Sequence, residues 1–193
     1  MAAGPATLFR NYAVPIGSQV GQTAQLQVNT LDSLFENMGN PKVTMKNGYL
    51  MCDRATLERI NDQLVSQSDS ERDELKSLLK VGVHWATEIS APGAPSGQKV
   101  TQVFCSALPI AYNSVRDDDL WETFARLVLE ATYEATICVG LLNAKQTHNP
   151  NVFLTRVGGG VFGNKQKWID SAIQLAVNKH HNQSLKVKVV SRK

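Results

Sequence analysis

The sequence predicts an α/β fold with three α/β/α layers, in which helices cover both faces of a mixed, mostly parallel central sheet. The main observation is that strand and helix patterns alternate through the second half of the chain. Strands are predicted at 100–105, 151–157 and 185–190, and helices at 118–143 and 165–180. Ligands of such sheets bind beyond the carboxyl ends of the strands, so a binding site is expected there.

The size and composition favour one domain spanning 1–193, in which residues 1–24 form a loop-rich segment that contributes to the site. The 193 residues are 42% hydrophobic, which is enough for a single well-packed core. The formal charge of +3 is modest and the basic residues are scattered, so no nucleic-acid partner is expected. The three cysteines have neither zinc nor disulfide spacing, which indicates a reducing compartment and no metal site.

No apolar run reaches the roughly 20 residues of a membrane span, and the N-terminus has no signal-peptide pattern. We therefore expect an intracellular, cytoplasmic protein with no membrane partner. Nothing in the sequence indicates self-association, and a monomer is the expected state.

The first half of the chain is predicted to begin with a helix over 24–38, which Gly39 ends. A strand over 43–51 follows, interrupted by the turn-forming pair Asn47 and Gly48. The remaining elements are helices at 56–64 and 70–80, and a strand at 81–89 that an exposed loop over 90–97 joins to 100–105. The second of these helices has two possible capping boxes, Ser68 with Glu71 or Ser70 with Asp73.

The most informative stretch is a glycine loop between the strand at 151–157 and the helix at 165–180. The strand contains an apolar run of the kind found in strands buried on both faces. Glycines let the backbone approach a ligand and direct N–H groups toward it, beside the positive end of a helix dipole. This arrangement favours phosphate binding, with Asn164 as the cap of the helix. The loop consists of Gly158, Gly159, Gly160, Val161, Phe162, Gly163 and Asn164.

The glycine spacing also fits two other interpretations of the loop. Gly158, Gly160 and Gly163 have the G-x-G-x-x-G spacing of a dinucleotide-binding fold. That fold needs an acidic residue about 20 residues further on and several more βα units, whereas only the strand at 185–190 follows here. The loop could also be a turn that only packs helix on strand. Three consecutive glycines, each costing about 0.5–1 kcal/mol in flexibility, favour a ligand-binding role over simple packing.

Several of these motifs together resemble the macrodomain family, whose members bind ADP-ribose. The resemblance is carried by Phe153-Leu154-Thr155, the glycine loop, the helix with Trp168 and Ile169, and the strand at 186–190. Further segments are similar to a divergent branch related to poly(ADP-ribose) glycohydrolases, which includes a bacterial effector acting on ADP-ribosylated ubiquitin. Those segments are 9–12, 21–23, 105–109 and 121–134. The resemblance implies a macrodomain-like fold and ADP-ribose or an ADP-ribosylated protein as the partner, with no cofactor.

The resemblance also implies roles for individual residues. The loop residues Gly159 to Gly163 would contact the diphosphate and the distal ribose, and Phe162 would pack against the sugar. Asn11 matches in type the asparagine that many macrodomains place near that ribose. An opposing loop would consist of Gly21, Gln22 and Thr23.

The sequence does not identify catalytic residues. Glycohydrolases of the related class carry adjacent glutamates, and no Glu-Glu pair occurs in this chain, nor does any acidic residue precede Asp32. The candidates for acid or base chemistry are Asp53, His84 and Glu88, although a strand-face histidine is the favoured interpretation of His84. Three functions stay open: a hydrolase that relies on positioning and on loop N–H groups, a reader that binds without turnover, and an interaction module.

Overall fold

The computed structural model of the chain describes residues 4–89 and 93–190. It divides into two compact units. Unit 1 combines Met1–Val28 with Val81–Cys105, and unit 2 combines Asn29–Lys80 with Ser106–Lys193. Helices hold 46% and strands 18% of the described residues, so a mixed helix and strand architecture is confirmed. A single domain over 1–193 stays a prediction.

The helices and strands have the following bounds. The helices are α1 (Pro5–Tyr12), α2 (Asp32–Asn37), α3 (Arg54–Val65), α4 (Asp69–Ser77), α5 (Asp118–Thr147) and α6 (Gln166–Lys179), with 3-10 turns at Ile110–Tyr112 and Gly160–Phe162. The strands are β1 (Pro15–Ile16), β2 (Gln19–Val20), β3 (Thr44–Lys46), β4 (Tyr49–Met51), β5 (Gly82–Glu88), β6 (Lys99–Phe104), β7 (Asn151–Thr155) and β8 (Lys186–Val190).

The strands of the described residues form four two-stranded sheets. The pairs β1–β2, β3–β4 and β5–β6 are antiparallel, and β7–β8 is parallel. One continuous, mostly parallel central sheet is therefore not found within 4–89 and 93–190. Strand pairing depends on partners that are distant in sequence, which periodicity along the chain does not identify.

Unit 1 contains a helix that the sequence patterns did not predict. Pro5 occupies the first turn of α1, where its fixed φ favours helix formation and its missing N–H costs nothing. The strands β5 and β6 were predicted correctly, and they pair with a bulge between His84 and Thr87 where Ala86 has a φ of 50°. Of the predicted loop over 90–97, residues 90–92 lie outside the described residues.

In unit 2 the predicted helix over 24–38 is limited to α2. The N–H of Leu31 donates to the side-chain oxygen of Asn29 at 3.1 Å, so a local turn occupies the residues before the helix. Gly39 has a φ of 76° and ends the helix as predicted. Asn47 and Gly48 have φ values of 53° and 79°, which form the tight turn of the β3–β4 hairpin.

The two surface helices of unit 2 were also predicted correctly. The capping box of α4 is the pair Ser68 and Glu71: the Ser68 N–H donates to the Glu71 carboxylate at 2.8 Å, and the Glu71 N–H donates to the Ser68 hydroxyl at 3.4 Å. The alternative pair, Ser70 and Asp73, is not the cap, because Ser70 lies inside α4; Asp73 pairs with lysines instead.

Asp73 links α4 to α6 at the surface of unit 2. Its carboxylate accepts from Lys76 on its own helix and from Lys179 at 3.3 Å, and the hydrogen bond from Lys76 is the main cause that lowers the pKa of Asp73 below its ordinary value of 3.8. Lys179 also pairs with Glu134 of α5 at 2.8 Å. These pairs join three helices of the unit.

We expect Asp73→Asn to destabilise the protein at neutral pH and to have no effect in acid. A carboxyl group with a lowered folded-state pKa stabilises the fold above its unfolded value, 3.8, and this stabilisation is lost as the pH falls through the folded value. Because the side chain is 51% exposed, the difference should stay below about 1 kcal/mol. Urea unfolding of both proteins at neutral and acidic pH measures it, and a difference that grows in acid would contradict this assignment.

The core of unit 2 surrounds α5, which packs against α3, α4, α6 and β7. Trp121 and Phe124 of α5 are completely buried, and the Trp121 indole N–H donates to the carbonyl of Val115 at 3.0 Å. Val152 and Leu154 of β7 face this core. Phe153, between them, is 62% exposed, so the prediction of a strand buried on both faces was wrong. The strand is buried on one face and alternates accordingly.

By length and composition alone, α5 is the one helix among the described residues that could cross a membrane. It lies in the interior of the sequence, and eleven of its 30 residues are buried in the protein. A core helix meets the same length and composition test, so this is weak evidence for a membrane span.

Candidate functional site

Tyr133, a buried side chain of α5, holds the backbone in place where the chain passes from β7 into the glycine loop. Its hydroxyl donates to the carbonyl of Thr155 at 2.8 Å and accepts from the N–H of Val157 at 2.9 Å. The two bonds satisfy the backbone at the point where β7 ends. They fix the direction in which the chain enters the loop.

Two of the loop glycines are required by packing. Gly158 has a φ of 79°, and a Cβ there would overlap the Cβ of Ala107 and lie 2.8 Å from the side-chain nitrogen of Asn164. Gly163 has a φ of 81°, and its Cβ would lie 3.1 Å from the Cβ of Ala111. The interpretation of the loop as a packing turn therefore holds at these two positions.

The other two glycines are not explained by packing. A Cβ on Gly160 would meet no atom within 4 Å, although the φ of 65° at this position still favours glycine. A Cβ on Gly159 would make an ordinary contact, 3.5 Å from Ile169. Open space above the backbone at Gly160 is what a loop that admits a ligand requires.

Asn164 closes the loop and does not cap the helix, so that prediction was wrong. The N-cap position of α6 is Lys165, which provides no side-chain cap. The side-chain nitrogen of the buried Asn164 donates to the carbonyls of Leu108 at 2.8 Å and Gly158 at 3.1 Å. The amide thus holds the two ends of the loop together, and among the described residues no side chain caps the first turn of α6.

The loop presents a run of free backbone donors. Within the described parts of the chain, no hydrogen-bond acceptor is found for the N–H groups of Gly159, Gly160 and Val161, whereas Phe162 ends the 3-10 turn. The next two N–H groups, those of Gly163 and Asn164, donate to loop carbonyls. Gly160 and Val161 are exposed. Successive free N–H groups at a glycine turn before a helix are a backbone anion site.

The cations nearest in sequence to the loop are already paired. Lys165 lies 3.0 Å from Asp118, and this hydrogen bond raises the pKa of the lysine. Arg156 lies 3.0 Å from Asp170. An anion bound at the loop therefore depends chiefly on the backbone N–H groups and on the start of α6.

The N-terminal residues predicted for the site come together in unit 1. The side-chain nitrogen of Gln22 donates to the side-chain oxygen of Asn11 at 2.9 Å, and Thr23 accepts from the N–H of Leu26 at 3.1 Å. Gly21 has a φ of 80°, and a Cβ there would overlap the backbone of Asn11. These contacts hold the segment against the end of α1. A shared site between these residues and the glycine loop stays a prediction.

The three candidates for acid or base chemistry, Asp53, His84 and Glu88, lie in ordinary structural positions. Asp53 caps α3 by accepting from the N–H of Thr56 at 2.7 Å, and this bond lowers the pKa of the carboxyl group. The exposed ring of His84 lies 5.9 Å from that of Phe9. Glu88 is exposed on β5. No group of three or more His, Cys, Asp or Glu side chains that could hold a metal is found within 4–89 and 93–190.

The sequence patterns missed an aromatic cluster beside the loop. Tyr49 of β4, Tyr112 and Phe162 have ring centroids 5.1 to 5.9 Å apart and together form the aromatic patch. Tyr49 and Tyr112 are 39% and 45% exposed. The three residues come from segments far apart in sequence, so no local spacing indicates the patch. The one available signal is the Asn47-Gly48 turn, which places Tyr49 at the start of its strand.

No protein-family model, curated protein or solved structure matches this chain.

Proposed function

We propose that the chain binds ADP-ribose through residues 158–164 and hydrolyses an ADP-ribosyl linkage on a modified protein or small molecule. The observation that carries this proposal is the run of free N–H groups from Gly159 to Val161, shortly before the start of α6, which has no side-chain cap. A diphosphate carries several anionic oxygens that accept from such donors. The resemblance of the loop to that of macrodomains supports ADP-ribose as the compound that brings the diphosphate.

A macrodomain-like α/β/α architecture belongs to the same proposal. It is supported by the parallel pairing of β7 with β8 and by the position of α6 between them in the chain. Strand, helix and parallel strand form the unit from which such layers are built. The glycine loop lies at the carboxyl end of β7, where ligands of these folds bind.

Catalysis in this proposal depends on position and on backbone donors. Asp53, the candidate carboxylate, is engaged as a helix cap, and the sequence has no glutamate pair. Loop N–H groups that hold the diphosphate would fix the linkage next to an attacking water and stabilise charge that develops as the bond breaks.

A second candidate is a reader that binds ADP-ribose without turnover, and the capping role of Asp53 favours it. The two functions are separated by incubating the purified protein with an ADP-ribosylated protein and measuring released ADP-ribose. Release above the rate without protein identifies the hydrolase. Retained binding with no release identifies the reader.

Binding itself is tested by calorimetric titration with ADP-ribose. We expect a dissociation constant on the order of 1–100 μM, with ADP and ribose 5-phosphate binding more weakly because each presents only part of the ligand. A thermal shift with ADP-ribose should accompany the heat. If there is neither heat nor thermal shift, the glycine loop is a packing turn and the proposal is wrong.

A further inference from the structure

The aromatic patch exposes side chains that the proposed phosphate site does not use. Tyr49 and Tyr112 meet at 5.1 Å between ring centroids, and Phe162 meets them edge to face at 5.9 and 5.7 Å. For neither tyrosine is a hydroxyl hydrogen bond found in the described part of the chain. The patch therefore presents apolar ring surface together with two polar groups that can still bind a partner.

Two cations lie at the rim of the patch. Lys46 is the cross-strand partner of Tyr49, so both side chains leave the hairpin on the same face. Arg116 donates to the carbonyl of Ala111 at 2.7 Å, next to Tyr112. Both cations are exposed, and among the described residues neither forms an ion pair. The rim is therefore available to a negatively charged partner.

The three aspartates that follow Arg116 in the sequence do not neutralise the positive charge at the rim. Asp117 lies 3.0 Å from Arg54, and Asp118 lies 3.0 Å from Lys165, so both already have basic partners. Asp119 is the single aspartate of this run with no ion pair in the described residues. Two unpaired cations thus stand against one unpaired carboxylate.

We infer that the aromatic patch, with Lys46 and Arg116 at its rim, binds an acidic segment of the protein that carries the ADP-ribose. The inference rests on the proposed function and names its substrate as a protein. Tyrosine and arginine are among the side chains that contribute most at protein interfaces, and the unpaired cations select an acidic partner. Phe162 belongs to both the loop and the patch, so a protein segment on the patch would be continuous with a ligand in the loop.

The test uses two peptides that carry ADP-ribose through a non-hydrolysable linkage. They are identical except that the residues flanking the modified position are glutamates in one and glutamines in the other. Fluorescence anisotropy should show the wild type binding the glutamate peptide about tenfold more tightly than the glutamine peptide. Tyr112→Ala and Arg116→Glu should both remove this preference and leave the affinity for free ADP-ribose unchanged within about twofold. Lys188→Glu, an exposed charge reversal on β8 outside the patch, should keep the preference.

Each other outcome is decisive. Equal affinity of the wild type for the two peptides would overturn the inference. If Tyr112→Ala weakens the binding of free ADP-ribose as strongly as the binding of the peptide, the patch stacks on the nucleotide and the inference is also wrong. The wild type could fail to bind free ADP-ribose and still bind the unmodified glutamate peptide through Arg116. In that case the patch is an acidic-peptide site and the proposed function is wrong. Thermal unfolding checks that each variant is folded, and Arg116→Glu tests the inference alone if Tyr112→Ala is not.

Discussion

Replacing Gly160 by glutamate is expected to weaken ADP-ribose binding by at least about 100-fold while leaving the protein folded. The fold should survive because a Cβ at this position meets no atom within 4 Å, and the φ of 65° costs a non-glycine residue only about 1–2 kcal/mol. The negative charge would lie beside the free N–H groups of Gly159 and Val161, where it competes with and repels the diphosphate.

The matched control is Gly160→Gln, which has the same size and backbone strain without the charge. We expect it to bind ADP-ribose more weakly than the wild type but at least about tenfold more tightly than Gly160→Glu. Calorimetric titration of the three proteins measures the difference, and its size should fall at high salt if charge is the cause. Equal affinities for the two variants would show that charge at the loop does not matter, and unchanged affinity in both would remove the loop from the site.

Gly158→Ala is expected to lower the free energy of unfolding by roughly 2–4 kcal/mol. The added methyl group would overlap the Cβ of Ala107, and the φ of 79° disfavours a side chain even without that overlap. Because Asn164 ties the same glycine to the far end of the loop, the backbone has little freedom to move away. Urea unfolding measures the loss.

Two variants separate the causes of this loss. Gly159→Ala, at a φ of −68° and with only an ordinary contact to Ile169, should cost less than about 1 kcal/mol. The double variant Ala107→Gly with Gly158→Ala should recover the part due to Ala107 and leave the backbone part and the close contact with Asn164. If Gly158→Ala is as stable as Gly159→Ala, the contact with Ala107 does not constrain the loop.

Local chemistry made most individual elements predictable. The pair Ser68 and Glu71 fixed the start of α4, and Asn47 with Gly48 fixed a hairpin turn, because each signal acts within four residues. The glycine loop was located for the same reason. The short helix α1 was missed because it has only eight residues, too few for a clear helical period, and buries no side chain.

The remaining errors come from contacts between distant segments. Phe153 lies in an apolar run, yet β7 is covered on one face only, and the sequence around it does not show which faces are covered. Asn164 lies just before a helix, where a capping residue is expected, but its side-chain amide donates to the carbonyl of Leu108 instead. The pairing of strands and the meeting of Tyr49 with Tyr112 depend likewise on the folded chain.

The proposal is that the backbone N–H groups of the glycine loop hold the diphosphate of ADP-ribose. It is tested most directly by following the backbone amide resonances of nitrogen-15-labelled protein during titration with ADP-ribose. We expect the largest shifts on Gly159, Gly160 and Val161 and on the first turn of α6, with ADP shifting a subset of them. Saturable binding that leaves these resonances unchanged and moves others would contradict it.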